Sequence, residues 1–188
     1  GRTSRLAYAM LAAAAGLLIS APCGLAAIKV IGASISGGKL SVQVKSKDLT
    51  SWLGYDKVKL NGFFAEVSCG ADKVDSGCGL GIEADNNNLI WFEMVPGRQE
   101  FSLLLLENGE WQEDLISAQT STYIYPSGSN YMEVYRLGKK LQVYINATLV
   151  GSVDTSKIPT GYLIFGGGTR KTVPAKFTID NLHVWSVK

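Results

Sequence analysis

The sequence predicts an all-β protein, folded as a sandwich or a barrel of many short strands. Ten short runs alternate apolar and polar positions, and turn signals rich in glycine, asparagine or proline separate them. Many of the 21 glycines lie between these runs, and no stretch has the periodicity of an amphipathic helix. A length of 188 residues suits one domain with a sizeable core. The predicted strands cover residues 40–44, 62–69, 79–84, 89–95, 100–106, 131–137, 140–146, 148–154, 161–166 and 175–187.

Alternation within the strands assigns each side chain to a packing face or to the opposite face. The strands around residues 63–69, 89–95 and 131–136 share one pattern, an apolar face opposite a face that mixes aromatic rings with a carboxylate. The predicted core side chains are Phe63, Ala65, Val67, Cys69, Ile90, Phe92, Met94, Met132 and Val134. The opposite face carries Phe64, Glu66, Ser68, Trp91, Glu93, Tyr131, Glu133 and Tyr135.

Residues 1–27 have the order of an export signal. Arg2 and Arg5 precede an uncharged run over residues 6–27, which ends in the small residues of "GLAA". We expect cleavage near Ala26 or Ala27, and residues 28–188 then form the sandwich domain. The alternative is an uncleaved membrane anchor, because about 20 uncharged residues are enough to cross a bilayer. The protein is therefore expected to be secreted, periplasmic or at the cell surface.

The charge balance argues against nucleic acid as a partner. Removing Arg2 and Arg5 from the 18 basic residues leaves 16, which equals the 16 acidic residues. A near-neutral domain without a basic stripe lacks the electrostatic footprint of a nucleic-acid or acidic-membrane binder. Contact with a membrane is expected only through residues 6–27, if they are not removed.

Cys69 and Cys78 are predicted to form a disulfide. They bracket a turn rich in glycine, aspartate and serine, and two strand ends that meet across such a turn bring cysteines within bridging range. An exported chain favours the bond over two buried thiols. A zinc site is not expected, because two cysteines and the lone His183 give too few ligands.

Three segments carry a family resemblance: "GLGIEADNNNLIWFEMVPGRQEFSLLLLENGEWQ", "NYMEVYRLGKKLQVYINATLVGSVDTSKIPTGYLIFGGG" and "AKFTIDNLHVW". Their order resembles the concanavalin A-like lectin/glucanase superfamily, most closely its laminin-G-like and sugar-hydrolase-related bacterial extracellular domains. The resemblance implies a jelly roll of two curved sheets whose concave face often takes carbohydrate. Asn146-Ala147 replaces the usual Asn-Gly hairpin turn and suits a type I′ turn less well.

Catalysis would need two carboxyl groups about 5 Å apart for a retaining glycosidase. The catalytic branch of the superfamily carries them in an E-x-D-x-E strand, and this sequence has no such element. Glu66, Glu93 and Glu133 lie on separate strands, where one pair could meet across a sheet. Hydrolysis by such atypical carboxylates is an alternative to binding alone. A serine or cysteine hydrolase is not expected, because His183 stands without a nucleophile motif.

The leading hypothesis is an exported, non-catalytic carbohydrate-binding or adhesion module that binds its ligand on one concave sheet face. Aromatic rings stack on sugar faces, and carboxylates or amides bond to hydroxyl groups. The candidate ligand-binding residues are Glu66, Trp91, Glu93, Tyr131, Glu133, Tyr135 and, at the rim, Asn87. The same residues are also compatible with plain packing and cross-strand ion pairs. A structural protein-interaction domain is therefore a third hypothesis.

Two further features have weaker functional interpretations. Trp52, Tyr55 and Trp111 are candidates for an aromatic rim, although loop tryptophans also plug the ends of sandwiches. The resemblance implies a structural calcium near Asp180, where a solvated aspartate in a bulge is an equally good interpretation. A calcium ion takes six to eight oxygen ligands, and one carboxylate does not supply them. No other cofactor is expected.

Overall fold

A computed structural model describes residues 5–6, 30–36 and 39–187, with side chains from residue 39 onward except at 51, 53 and 55–58. The described residues form β-strands joined by turns, with one turn of 3-10 helix at Pro96–Arg98. The strands are β1 Arg5–Leu6, β2 Val30–Ser36, β3 Lys39–Val44, β4 Leu49–Leu60, β5 Phe63–Ala71, β6 Gly77–Asp85, β7 Asn88–Val95, β8 Glu100–Glu107, β9 Glu110–Trp111, β10 Ile116–Thr120, β11 Asn130–Leu137, β12 Lys140–Ile145, β13 Thr148–Asp154, β14 Gly161–Thr169 and β15 Ala175–Ser186.

The strands form two sheets, which confirms the predicted jelly-roll sandwich. Sheet A has the order β1-β4-β14-β6-β7-β8-β10, with β9 paired to β8, and sheet B has the order β13-β12-β11-β5-β15-β3-β2. Among the described strands every pairing is antiparallel except the short parallel contact of β1 with β4. Chain neighbours such as β5 and β6 lie in different sheets, so the chain repeatedly crosses the sandwich.

The main core lies between the two sheets and contains every side chain that alternation assigned to it. Ile90, Phe92 and Met94 of β7 meet Phe63, Ala65, Val67 and Cys69 of β5 in one buried cluster. Met132 and Val134 of β11 join the same cluster. Each strand therefore turns its apolar face inward, and the pattern of period two is confirmed for these strands.

The predicted disulfide between Cys69 and Cys78 is present. Its Cα atoms are 6.2 Å apart, and both residues are buried in the main core. Because Cys69 lies on β5 and Cys78 on β6, the bond ties sheet B to sheet A across the loop at residues 72–76. This disulfide therefore links the two layers of the sandwich covalently.

All ten predicted strands are present, and the structure adds strands that the pattern missed. The longest of these, β4, mixes a glycine and several charged residues with its apolar positions, which hides the alternation. The predicted export signal, residues 1–27, lies outside the described residues apart from Arg5–Leu6. None of the described helical segments is long and apolar enough to cross a membrane.

The turn at Asn146-Ala147 joins β12 to β13 with both residues in the left-handed region. Asn146 has φ of 50° and Ala147 has φ of 64°. A type I′ hairpin requires positive φ at both central positions, so the turn forms although alanine is a poor residue for it. The Asn146 side chain receives one hydrogen bond and donates two to neighbouring segments, which helps to hold the turn in place.

Candidate functional site on the outer face of sheet A

The outer face of sheet A, which points away from sheet B, carries a second apolar cluster. Five of its side chains lie on β7, β8 and β14, and a tryptophan on β4 completes the set. Trp111, which is half-buried, packs against this cluster. The buried members are Trp52, Leu89, Trp91, Leu104, Leu106 and Ile164. Such a surface provides an apolar base on which polar groups can be arranged.

Trp91 lies at the base of the apolar cluster on the outer face of sheet A. A Cβ atom placed on Gly79 of the neighbouring strand would lie 1.8 Å from the Trp91 ring, so the indole occupies the space above that glycine. The ring of Trp52 packs against Trp91 with centroids 6.0 Å apart. Trp91 is fully buried, although it lies on the predicted face. It therefore supports the surface by packing.

A cavity of about 240 Å³ opens on this face near the end of β7 where Glu93 lies. It is lined by Thr50, Glu93, Leu104, Trp111, Gln112, Asp114 and Arg170. Its walls combine an aromatic ring, an amide, a hydroxyl, carboxylates and a guanidinium. This is the mixture of apolar and oriented polar groups that small-molecule sites share.

An ion pair organises the cavity. Nη2 of Arg170 donates to Oε2 of Glu93 over 2.7 Å, and the side chain of Glu93 is only 7% exposed. The side chain of Arg170 is 32% exposed, so the guanidinium reaches the cavity from the solvent side. A short charge-assisted bond of this kind fixes both groups in orientation.

Trp111 contributes a donor that has no acceptor. Its Nε1 atom is buried and lacks a hydrogen-bond partner among the described residues. A buried indole N–H normally finds a partner, and leaving it without one costs about 1–3 kcal/mol. Because Trp111 lines the cavity, an oxygen atom of a ligand seated there would satisfy this donor.

Glu83 is the second buried carboxyl group on the outer face of sheet A. It accepts a hydrogen bond from Nε1 of Trp52 over 3.3 Å. Burial raises the pKa of Glu83, and the nearby Asp85 raises it further, while the Trp52 bond acts in the opposite direction. Glu83 lies opposite Leu89, which is four residues from Glu93 along β7. At about 3.3 Å per residue, the two glutamates are about 13 Å apart along the sheet.

The structure separates the predicted ligand-binding residues onto two surfaces. Trp91 and Glu93 lie on the outer face of sheet A. Glu66, Tyr131, Glu133 and Tyr135 lie on β5 and β11, on the outer face of sheet B. The expectation that all six share one concave face is therefore wrong. Alternation places a side chain on one side of its own strand, but it does not tell which sheet the strand joins.

Two of the predicted carboxylates do meet, on sheet B. Glu66 and Glu133 are directly opposite each other on β5 and β11, so their Cβ atoms are about 5 Å apart. Burial raises the pKa of Glu133 and the charge of Glu66 adds to this, although the N–H of Ala147 lowers it. Nδ1 of His183 lies 2.8 Å from Oε1 of Glu66. Neither Glu66 nor Glu133 lines the cavity on sheet A.

Asn87 belongs to a turn network at the opposite end of β7 from the cavity. Its N–H donates to Asp85, and its carbonyl accepts from the N–H of Gly109 in the next hairpin. Asn88 also bonds to Asp85 and accepts from the N–H of Asn108. The asparagines before β7 thus fasten two hairpin turns to each other.

Asp180 caps a bulge in β15. Its Oδ1 accepts from the N–H of Asn181, which has a positive φ of 52°. No group of three or more histidine, cysteine, aspartate or glutamate side chains suited to a metal occurs among the described residues. The oxygen ligands at Asp180 do not reach the six to eight that calcium takes. A calcium ion at this position stays a prediction.

Most of the cavity lining was missed from the sequence. Trp111 was expected in an aromatic rim and does line the cavity, next to the cluster that holds Trp52. Thr50, Gln112, Asp114 and Arg170 carried no local signal. Arg170 follows a glycine run, and only its pairing with Glu93, 77 residues away in the chain, gives it a place in the site.

A second cavity of about 690 Å³ lies at one end of the sandwich, and Arg136 is among the residues that line it. The guanidinium of Arg136 is fully buried and donates to the carbonyl groups of Gly138, Thr155 and Lys157. These bonds connect the β11–β12 turn to the segment after β13. Arg136 is therefore a structural clamp for this end of the molecule.

No family model and no curated protein matches the sequence. Solved structures do match the fold. The carbohydrate-binding module CBM66 from Bacillus subtilis aligns with a TM-score of 0.58 and 12% identity, over 81% of this chain and 84% of that one. A laminarinase from Flavobacterium sp. UMI-01 aligns with a TM-score of 0.63 and 12% identity, over 83% of this chain and 82% of that one. An endo-β-1,3-glucanase from Pyrococcus furiosus aligns with a TM-score of 0.62 and 14% identity, over 82% of this chain and 77% of that one.

These similarities define the class of fold to which the chain belongs. It is a jelly-roll β-sandwich of two antiparallel sheets, in agreement with the fold that the resemblance in the sequence implies. At identities of 12% to 14% the likeness extends to the fold alone. What the protein does must be argued from its own side chains.

Proposed function

We propose that the protein is an exported, non-catalytic carbohydrate-binding module that holds a sugar in the cavity on the outer face of sheet A. The observation that carries this proposal is the pairing of a buried, unsatisfied donor on Trp111 with the oriented Glu93–Arg170 pair in one cavity. A sugar supplies a hydroxyl oxygen for the indole N–H, which has no partner among the described residues, and further hydroxyl groups that complement the polar lining.

The size of the cavity supports a small ligand. At about 240 Å³ it is below the range of about 300–1,000 Å³ that drug-sized ligands occupy. A single sugar residue or the end of a chain suits this volume better than a long internal segment. Leu104 and Trp111 supply the apolar wall for the ring face, and Gln112 and Thr50 supply neutral hydrogen-bonding groups.

Hydrolysis by the two buried glutamates of this face, Glu83 and Glu93, is disfavoured by their spacing. Glycosidases place their two carboxyl groups about 5 to 9.5 Å apart. The separation of about 13 Å between Glu83 and Glu93 is too large for either mechanism. Glu93 is also engaged by Arg170, which holds it in one position. The superfamily neighbours include both binding modules and glycoside hydrolases, so the choice rests on these side chains.

The disulfide between Cys69 and Cys78 supports export. Such bonds persist in oxidising compartments and are rare in the reducing cytosol. The proposed setting is the cell surface, the periplasm or the medium, where polysaccharides are available as ligands.

The test is sugar binding by the full chain and by paired variants of Trp111. A glycan array identifies the ligand, and calorimetry measures its affinity. Trp111→Phe keeps a ring but removes the N–H, so we expect affinity to fall about three- to tenfold. Trp111→Ala removes the wall as well and should weaken binding further. Trp185→Ala, an exposed tryptophan on sheet B, is the matched control and should bind as the wild type does.

Two results would count against this function. One is a wild-type protein that binds no glycan on the array, which would favour a protein-interaction domain. The other is sugar binding that survives Trp111→Ala unchanged, which would move the site elsewhere.

A hydrolase active on sheet B is the second candidate. It is favoured by one observation, the adjacent Glu66 and Glu133, of which Glu133 has a raised pKa suited to a general acid. This candidate requires that the wild type release reducing sugar from a polysaccharide and that Glu133→Gln abolish the release. Equal rates in both proteins, including no release from either, would dismiss it.

A further inference from the structure

The loop at residues 121–129, which connects β10 in sheet A to β11 in sheet B, displays exposed tyrosines. Tyr123 is 53% exposed and Tyr125 is 57% exposed, while Tyr131, just beyond the loop, is 42% exposed. In the described part of the chain, none of these three rings contacts another aromatic ring. All three tyrosines are therefore exposed to solvent without an aromatic partner among the described residues.

Side-chain amides hold the backbone of this loop. Three consecutive carbonyl groups each accept a hydrogen bond from a different amide. The carbonyl of Tyr123 accepts from Nδ2 of Asn146 over 2.7 Å. The carbonyl of Ile124 accepts from Nε2 of Gln99 over 2.8 Å. The carbonyl of Tyr125 accepts from Nδ2 of Asn130 over 2.9 Å.

The amides are also connected to each other. Nδ2 of Asn146 donates to Oδ1 of Asn130 over 2.9 Å, and that same oxygen accepts from the N–H of Tyr125. Oδ1 of Asn146 accepts from the N–H of Tyr131. Asn130 is fully buried, whereas the bonds from Asn146 to Tyr123 and from Tyr131 to Asn146 lie at the surface. One pair of asparagines therefore fixes the backbone at all three tyrosines.

Ile124 anchors the loop from below. Its side chain is fully buried and belongs to the main core, between two exposed tyrosines. A loop that is held by a buried side chain and by hydrogen bonds loses little conformational entropy when a ligand binds. Tyrosine adds a large ring and a hydroxyl group at low entropic cost, which is why it is frequent in binding loops.

The chemistry of the surrounding surface indicates a neutral, hydroxylated ligand. Residues 115–132 contain no Asp, Glu, Lys, Arg or His. The exposed positions of this segment are mainly serine, threonine, tyrosine and glutamine, and its leucine, isoleucine and methionine side chains are partly or fully buried. A protein interface is usually richer in apolar side chains at its centre than this segment is at its exposed positions. Charged ligands would find no counter-charge within the segment.

We propose that Tyr123, Tyr125 and Tyr131 form a second carbohydrate-binding surface, which takes the chain of a neutral polysaccharide. The rings would stack on sugar faces, and the hydroxyl groups of the loop would bond to sugar hydroxyls. This inference rests on the proposed carbohydrate-binding function and adds a site to it. None of the described residues that line the cavity on sheet A lies within 115–132, so the two surfaces have no described residue in common.

The experiment is affinity electrophoresis of the full chain in gels that contain a polysaccharide. A soluble β-glucan and a galactomannan are the neutral probes, and polygalacturonate is the charged probe. The variants are Tyr123→Ala, Tyr125→Ala and the double variant, with Tyr→Phe at each position. Trp185→Ala, which removes another exposed aromatic side chain, is the matched control. Trp111→Ala removes the aromatic wall of the cavity on sheet A. Thermal unfolding of each variant confirms that it is folded.

Each alanine variant should weaken binding to a neutral polysaccharide about three- to tenfold, and the double variant should weaken it by more. The phenylalanine variants keep the rings and should lose less. Trp185→Ala should match the wild type, and polygalacturonate should not retard any protein. In the Trp111→Ala background the tyrosine changes should still lower polysaccharide binding.

The outcomes separate the two sites. If short oligosaccharides bind in a Trp111-dependent way but the tyrosine variants retain full polysaccharide binding, the second surface is refuted and the cavity stands. If polysaccharide binding depends on the tyrosines but not on Trp111, the cavity is refuted and the second surface stands. If no carbohydrate retards or binds the wild type, or the loop proves to bind a protein instead, the second surface is refuted.

Discussion

Gly79 and Trp91 provide a direct test of the sheet A surface. We expect Gly79→Ala to destabilise the protein, because its new methyl group would fall 1.8 Å from the indole of Trp91. Two non-bonded heavy atoms cannot lie that close together, so the ring or the backbone would have to shift. The fully buried indole would have to leave its place between Gly79 and Trp52.

The magnitude follows from two opposing effects. Forcing an extra carbon into a packed site costs about 1–3 kcal/mol. Replacing glycine by alanine also restricts the unfolded chain, which recovers about 0.4–1 kcal/mol where the backbone is compatible. We therefore expect a net loss of about 1–2 kcal/mol in the free energy of unfolding. Urea denaturation followed by tryptophan fluorescence measures it.

A double-mutant cycle isolates the contact between the two residues. In a Trp91→Ala background, which itself costs about 3–5 kcal/mol, the methyl group of Gly79→Ala meets an empty space. The substitution should then be neutral or slightly stabilising, which gives a coupling energy of about 2 kcal/mol. Equal costs of Gly79→Ala in both backgrounds would refute the placement of the ring over β6.

Gly54 on the same sheet is the matched control. A Cβ atom there would lie 3.7 Å from the Glu83 carboxylate, an ordinary contact distance. We expect Gly54→Ala to leave stability unchanged or raise it slightly. If both glycine variants lose the same stability, the loss reflects the strand backbone and not the tryptophan.

Three further predictions concern other parts of the fold. Replacing Cys69 and Cys78 together by alanine should cost about 2–3 kcal/mol in urea denaturation, the value for a loop of this length, and an unchanged midpoint would contradict it. Ala147→Gly should raise stability by about 0.5–1 kcal/mol, because glycine adopts a φ of 64° without strain, and a lower melting temperature would contradict this. Burial and Glu66 raise the pKa of Glu133 above its ordinary 4.5, so ionisation destabilises the fold as pH rises through this region. Glu133→Gln should therefore melt higher than the wild type at pH 7 but not at pH 4, and a gain that is equal at both pH values would contradict the cause.

The fold was predictable because its signals are local. A strand such as β7 shows its two faces within eight residues, and the turn before it is written in consecutive polar residues. The disulfide was also predictable, since a short loop constrains where its two cysteines lie. These features need no knowledge of which strands become neighbours.

The candidate site was only partly predictable because it depends on strand order. Glu66 and Glu93 have equivalent positions in their own strands, yet β5 joins sheet B and β7 joins sheet A. Their carboxylates consequently point to opposite sides of the sandwich. Arg170 reaches Glu93 only because β14 lies beside β6, which lies beside β7. Such adjacency comes from long-range pairing and leaves no trace in a short window of sequence.

Exposure finally decides which aromatic residues can bind a ligand. Trp91 was the strongest aromatic candidate in the sequence, but it is fully buried and its loss would reduce stability before it affected binding. Tyr123 and Tyr125 lie in a loop outside any predicted strand, and their rings are more than half exposed on a fixed backbone. A variant of Trp91 that loses sugar binding would thus be ambiguous. Loss of binding in tyrosine variants with unchanged melting temperatures would assign the effect to recognition.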